Sequence, residues 1–254
     1  MSTNVSALTL DGVSKLPAHA RRCVFWELDP AVAKDTEKFA DPTFEKEAWL
    51  STVMLEWGSC GQVASINGYP AGCALYSPPS AVPRAGLFPT SPVSADAVLL
   101  TALSLERGLG REGIVDYDGL ARQLVQAVVG DLVRRGVRAL EAFGVRDDGV
   151  SEAPLSPAAS ALLPEARGER RGKSKRGCSP EKCMIDADFL ESAGFEVVAP
   201  HRRFPRLRLE LDSDHSWKAD VEHALDQLMA AATLTVADIN ERSSVGVSGH
   251  ARFT

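Results

Sequence analysis

Apolar and polar positions change period several times along the chain, and each change marks an element. "CVFWEL" at 23–28 alternates strand-forming residues and predicts a first strand. "DPTFEKEAWLSTVMLEWGS" predicts a helix: Asp41 can cap it, Pro42 suits the first helical position, and Trp49, Val53 and Trp57 recur at helical spacing. "QVASINGYPAGCALYSPP" (62–79) then reads as two strands around Asn67-Gly68, the pair favoured where both turn residues need positive φ. "SADAVLLTALSLE" (94–106) is a nearly unbroken apolar run, as expected of a strand buried on both faces.

Leu120, Leu124, Ala127, Val128 and Leu132 form the next helical stripe, widened by Val125, Val129 and Val133 and ended by Gly136. "VRALEAFGV" (137–145) predicts a strand, and "MIDADFLESAG" (184–194) a helix closed by Gly194. "FEVVAP" and "RLRLELD" read as strands, the second with Leu207, Leu209 and Leu211 on one face and Arg206, Arg208 and Glu210 on the other. A last helix carries Trp217, Val221, Ala224, Leu225, Leu228 and Met229. Between about 147 and 182 the pattern dissolves into Pro, Ser, Gly and charge, too polar to offset its ordering entropy, and reads as a mobile insertion. The order of elements predicts a mixed α/β sheet with helices on both faces. The expected organisation is an N-terminal extension (1–20), a main domain (21–212) interrupted by that insertion, and a C-terminal helix and tail (213–254).

Composition narrows the function classes. The net charge of −6 argues against a nucleic-acid binder and weakly favours cationic partners. The first twenty residues lack a signal-peptide pattern, no apolar run is long enough to span a bilayer, and the five cysteines suit reduced thiols, so a cytoplasmic setting without membrane contact is expected. Cys178 and Cys183 in "CSPEKC" have metal-like spacing. His201 is the nearest histidine and no second Cys pair appears, so the expectation is free thiols and no metal site. Cys60 has no evident His partner, and "VGVSGH" fails the hydrolase elbow pattern. The basic run Arg167, Arg170, Arg171, Lys173, Lys175 and Arg176 reads as a solvated loop, or as a contact for an anionic partner.

Two glycine clusters compete for a phosphate. "GLGREG" (108–113) is a literal G-x-G-x-x-G after a strand and suggests a nicotinamide-dependent oxidoreductase. However, "IVDYD" separates it from the helical period, so its glycines do not form the turn into the helix. "DGLARQLVQ" does open the helix, with Asp118 as expected N-cap and Gly119 permitting close approach to the free amides.

With Gly119, Leu120 and Ala121 matching the G-x-A end of its phosphate loop, the hairpin "QVASINGYPAGCALY", and "DFLESAGFEVV", the chain resembles the GNAT superfamily of N-acetyltransferases from about residue 21 to 211. The resemblance implies a mostly antiparallel central sheet with helices on both faces. Acetyl-CoA would be the co-substrate, its pantetheine arm against Leu103, Ser104 and Leu105 and its pyrophosphate on amides of Gly119, Leu120, Ala121, Arg122 and Gln123, with Arg122 adding charge. A primary amine of a small molecule or protein would attack the thioester directly. The expected base is Glu106, with Glu27 and Glu141 as alternates whose pKa burial would raise. Two positions depart from the pattern: Asp116 stands where Gln or Arg is usual, and Leu190 where many relatives carry a Tyr that protonates the leaving thiolate. The alternative they favour is a catalytically reduced acyl-CoA-binding regulatory module. A homodimer through the apolar stripe of the last helix is also open.

Overall fold

The computed structural model describes residues 3–28, 41–106, 116–146 and 178–211. All belong to one unit spanning Met1–Leu211. The expected C-terminal helix and tail, "GLGREG" and the basic run lie outside the described residues.

The strands are β1 (Thr3–Ala7), β2 (Gly61–Ile66), β3 (Tyr69–Ser77), β4 (Ala97–Leu105), β5 (Ala139–Val145), β6 (Ile185–Asp186), β7 (Glu196–Ala199) and β8 (Arg206–Glu210). The helices are α1 (Pro42–Glu56), α2 (Tyr117–Arg134), the single turn α3 (Pro180–Cys183) and α4 (Ala187–Ser192). They build one mixed sheet in the order β1-β2-β3-β4-β5-β8-β7, with β6 beside β5. Every pairing is antiparallel except β4 with β5 and β5 with β6.

The period-2 alternation of the strands sends successive side chains to opposite faces. On one face Ala74, Tyr76, Val98, Leu100, Leu140, Ala142 and Leu207 meet Leu120, Leu124, Val128 and Leu132 of α2 and Leu190 of α4. On the other, Cys73 and Leu75 meet Leu50 and Val53 of α1 with Leu8, Val13 and Leu16. Leu99 and Phe143 on that face join an aromatic cluster of Phe25, Trp26, Phe88 and Phe204. Stacking of Phe88 on Phe143 at 4.6 Å and of Trp26 on Phe88 at 5.2 Å organises this cluster.

Asn67 and Gly68 take φ of 51° and 84°, as the predicted hairpin turn requires. Asp41 caps α1 by accepting from the Thr43 amide at 2.9 Å. Two expectations are corrected. "CVFWEL" is a run of turns, and its apolar residues serve burial: Cys23, Phe25 and Trp26 pack onto the sheet without joining a ladder. The first strand comes from the stretch expected to be an extension, as Thr3–Ala7 pairs along β2 from Thr3–Ile66 to Ala7–Gln62. Among the described residues, no helix is long and apolar enough to cross a membrane.

Candidate functional site

β4 and β5 are hydrogen-bonded only where Ala97–Leu99 meets Ala139–Glu141. A local defect accompanies their separation. Opposite β3, Leu75 pairs with Ala102 and Tyr76 with Leu100, leaving Thr101 as the extra residue of a β-bulge. The Thr101 hydroxyl donates to the Leu75 carbonyl at 3.1 Å and pins that kink. A bulge bends its strand and raises the local twist, and this one lies just beyond the last β4–β5 pair, Leu99 with Glu141. β5 then takes a new neighbour, pairing Gly144 with Ile185 and Val145 with Asp186. Beyond Leu99, β4 shares no ladder with β5, and its stretch Ala102, Leu103, Ser104 and Leu105 is half-exposed.

α2 packs on β3 beside this stretch: an added Cβ at Gly72 would lie 2.8 Å from Leu105 Cδ2 and 3.1 Å from Leu124 Cδ1, so glycine permits the close approach. Its N-terminus differs from expectation. The helix starts at Tyr117, and its N-cap is Asp116, not Asp118. Asp116 Oδ1 accepts from the Gly119 amide at 2.9 Å, and the Leu120 amide donates to the Asp116 carbonyl at 3.0 Å. Ala121, Arg122 and Gln123 lie inside the helix, where amides serve the i−4 ladder. The amides of Gly119 and Leu120 therefore have Asp116 as their partner, and those of Ala121, Arg122 and Gln123 fall within the helical ladder. The Arg122 guanidinium is also engaged, donating to the Ser192 carbonyl at 2.7 Å and to its hydroxyl at 3.1 Å.

The three candidate carboxylates are separate. Glu106 follows β4 directly; its amide donates to the Ala71 carbonyl at 2.8 Å and its carboxylate accepts from the Ala18 amide at 3.2 Å. Glu27 is buried in a turn against the ammonium of Lys46 on α1, itself buried. Desolvation pushes the Glu27 carboxyl up against the opposing pull of Lys46. Glu141 sits on β5, fully buried, between Arg206 and Arg208 of β8. Burial alone would raise its pKa, but hydrogen bonds from Ser94 and Arg206 outweigh that and hold it below the ordinary value. The expected upward shift at Glu141 is corrected: the register sets it opposite Arg208. Leu190 is fully buried in the core against α2 and the sheet.

One cluster escaped the sequence reading. Cys183 Sγ lies 3.6 Å from His19 Nε2 and Cys178 Sγ 3.5 Å from Cys23 Sγ. All four ligand atoms lie within 4.8 Å of one another. The supposed shortage of further ligands for Cys178 and Cys183 is therefore corrected. His19-x-x-x-Cys23 was the available signal, hidden because its partner pair is 155 positions away. Cys60 and Cys73 are different: each is buried, and desolvation pushes each thiol up to about 12. They are inert core residues.

No family model matches the sequence and no curated protein matches it. Among solved structures it is similar to yncA from Salmonella typhimurium, described with its cofactor acetyl-CoA, at 14% identity over 85% of this chain and 97% of that one, with a TM-score of 0.43. It is similar also to the ribosomal-protein-S18-alanine N-acetyltransferase from Escherichia coli, at 14% identity over 83% and 95% with a TM-score of 0.41. A third is the paia N-acetyltransferase from Thermoplasma acidophilum in complex with coenzyme A, at 10% identity over 83% and 99% with a TM-score of 0.42. All three scores lie below one half.

Proposed function

We propose that this chain is a GNAT-type N-acetyltransferase that binds acetyl-CoA in the cleft between β4 and β5 and passes its acetyl group to a primary amine. The carrying observation is the parallel pair that parts after three residues at the Thr101 bulge. A strand edge released in this way offers backbone donors and acceptors in a row, and the two amides of a pantetheine arm can add to Leu103–Leu105 as a short pseudo-strand. In the reaction, an amine nitrogen attacks the thioester carbonyl, the C–S bond breaks from the tetrahedral intermediate, and CoA leaves as thiolate. The protein must take one proton from the ammonium before the free amine can attack, stabilise the oxyanion, and let the nitrogen shed a second proton as the C–S bond breaks, which the departing thiolate can accept. Of the three carboxylates, Glu106 adjoins the cleft wall and is assigned the base role. The buried thiols of Cys60 and Cys73 suit a reducing, cytoplasmic setting.

A second reading has its own support. Asp116 covers the amide at Gly119, Leu190 offers no acidic hydroxyl, and Glu27 and Glu141 are committed to cations. These features favour an acyl-CoA-binding module with reduced or no turnover. Calorimetric titration of the full chain with acetyl-CoA, CoA and NAD, followed by thiol release on a panel of primary amines, separates the readings. CoA binding with thiol release supports acetyl transfer, and CoA binding without release on any amine supports the module. Binding of NAD alone overturns both.

A further inference from the structure

We infer that His19, Cys23, Cys178 and Cys183 form a structural zinc site that fastens the N-terminal turns to the segment entering β6. The donor set is the first ground. Three thiolates and one imidazole make a common closed tetrahedral set for structural zinc, leaving no position for substrate.

Geometry is the second. With Zn–S bonds of about 2.3 Å and a Zn–N bond of about 2.0–2.1 Å, a tetrahedron has S···S edges of about 3.8 Å and S···N edges of about 3.6 Å. The observed Cys23–Cys178 and His19–Cys183 separations are 3.5 Å and 3.6 Å, and no pair exceeds 4.8 Å. A disulfide between Cys23 and Cys178 would need its sulfurs at about 2.05 Å. Local backbone explains the convergence. The Arg22 amide donates to the His19 carbonyl, and the Cys183 amide to the Ser179 carbonyl, so each ligand pair sits on a tight turn. The Trp26 indole N–H donates to the Cys183 carbonyl at 3.3 Å and ties the two turns together.

Charge is the third ground. Arg84 is buried with its guanidinium 4.3 Å above the Phe25 ring, and its Nε and Nη1 have no hydrogen-bond partner. A buried cation without a counter-charge is costly. Cys23 and Cys183 belong to the same buried cluster as the Phe25 ring beneath Arg84, and the buried Glu27 is already paired with Lys46. Three neutral thiols give Arg84 nothing. A zinc ion with three thiolates and a neutral imidazole carries one net negative charge and neutralises it.

The test uses the full chain, purified without chelator. Mass-spectrometric metal analysis is expected to find about one zinc per chain, falling at least about tenfold in Cys23→Ser and Cys178→Ser but not in Cys60→Ser. Because a ligand variant can fail to fold, the wild type is tested as well. Stripping the metal should lower Tm by more than about 5 °C, zinc should restore it and magnesium should not. Cobalt added to the stripped chain should give the intense visible bands of tetrahedral thiolate coordination. Metal-free protein whose Tm ignores zinc overturns the site. So does a freshly isolated chain lighter by two hydrogens with Cys23 and Cys178 in one disulfide-linked peptide pair.

Discussion

Asp116 offers the sharpest test of the coenzyme reading, because its carboxylate lies where a diphosphate would otherwise approach α2. Its Oδ1 is 2.9 Å from the Gly119 amide nitrogen, and an added Cβ at Gly119 would come within 2.3 Å of Oδ2. Any diphosphate reaching this helix end must displace the carboxylate or share the space with it. Asp116→Asn separates charge from capping, since Asn caps about as well as Asp and should leave Tm nearly unchanged. Removing one negative charge about 5 Å from a doubly charged diphosphate is worth roughly 1.5–3 kcal/mol when solvent screening is strong. Tightening of CoA binding by about 10- to 100-fold is expected. Titration calorimetry measures it, and the gain should shrink as salt rises. Acetyl-pantetheine, which lacks the diphosphate, should bind wild type and variant equally. Unchanged CoA affinity in a variant of unchanged Tm would refute the placement of the diphosphate at this helix.

Three further outcomes are expected. Glu106→Gln keeps an oxygen for the Ala18 amide but cannot accept a proton, so turnover should fall ~100-fold with Tm preserved; near-wild-type turnover removes it from the base role. Lys46→Met strands the buried Glu27 carboxylate and should cost about 3–5 kcal/mol by urea denaturation, while the double variant with Glu27→Gln recovers much of that; equal losses would contradict the pairing. Glu141 has a folded pKa below its ordinary value of 4.5, so its contribution to stability is present above that pH and is lost as pH falls through the lower folded pKa. Glu141→Gln should flatten the stability curve on the acid side, and an unaltered slope would mean the Arg206 and Arg208 contacts do not hold in solution.

The elements most legible in the sequence were those whose local chemistry demands one geometry. Asn67-Gly68 admits a two-residue turn that few other pairs tolerate, and the apolar run around Leu99 has no stable setting but a buried strand. The onset of α2 was misplaced because its first turn is polar and carries no stripe, so the period became visible only at Leu120, after the Asp116 cap had acted. "CVFWEL" misled because aromatic and β-branched residues favour burial as much as pairing, and here the aromatic cluster claims them. β1 was overlooked because four of its five residues are exposed, leaving little pattern. The candidate site was legible only in part. The apolar run of β4 fixes where Leu103–Leu105 stand in the strand and Glu106 at its end, whereas the neighbours of Glu141 and of the Cys178–Cys183 pair come from distant stretches that no local window contains.

The position of β8 between β5 and β7 has a consequence for how the chain assembles. β1 to β4 are neighbours in the sheet in the order they leave the ribosome, apart from the excursion through α1, and their antiparallel ladders can close early. β7 emerges before β8 yet has no ladder partner until β8 is threaded beside β5, so the C-terminal half of the sheet must wait for residues 206–210. A nascent chain halted before Arg206 would present both β5 and β7 with unsatisfied edges, the condition under which growing chains capture one another or recruit chaperones.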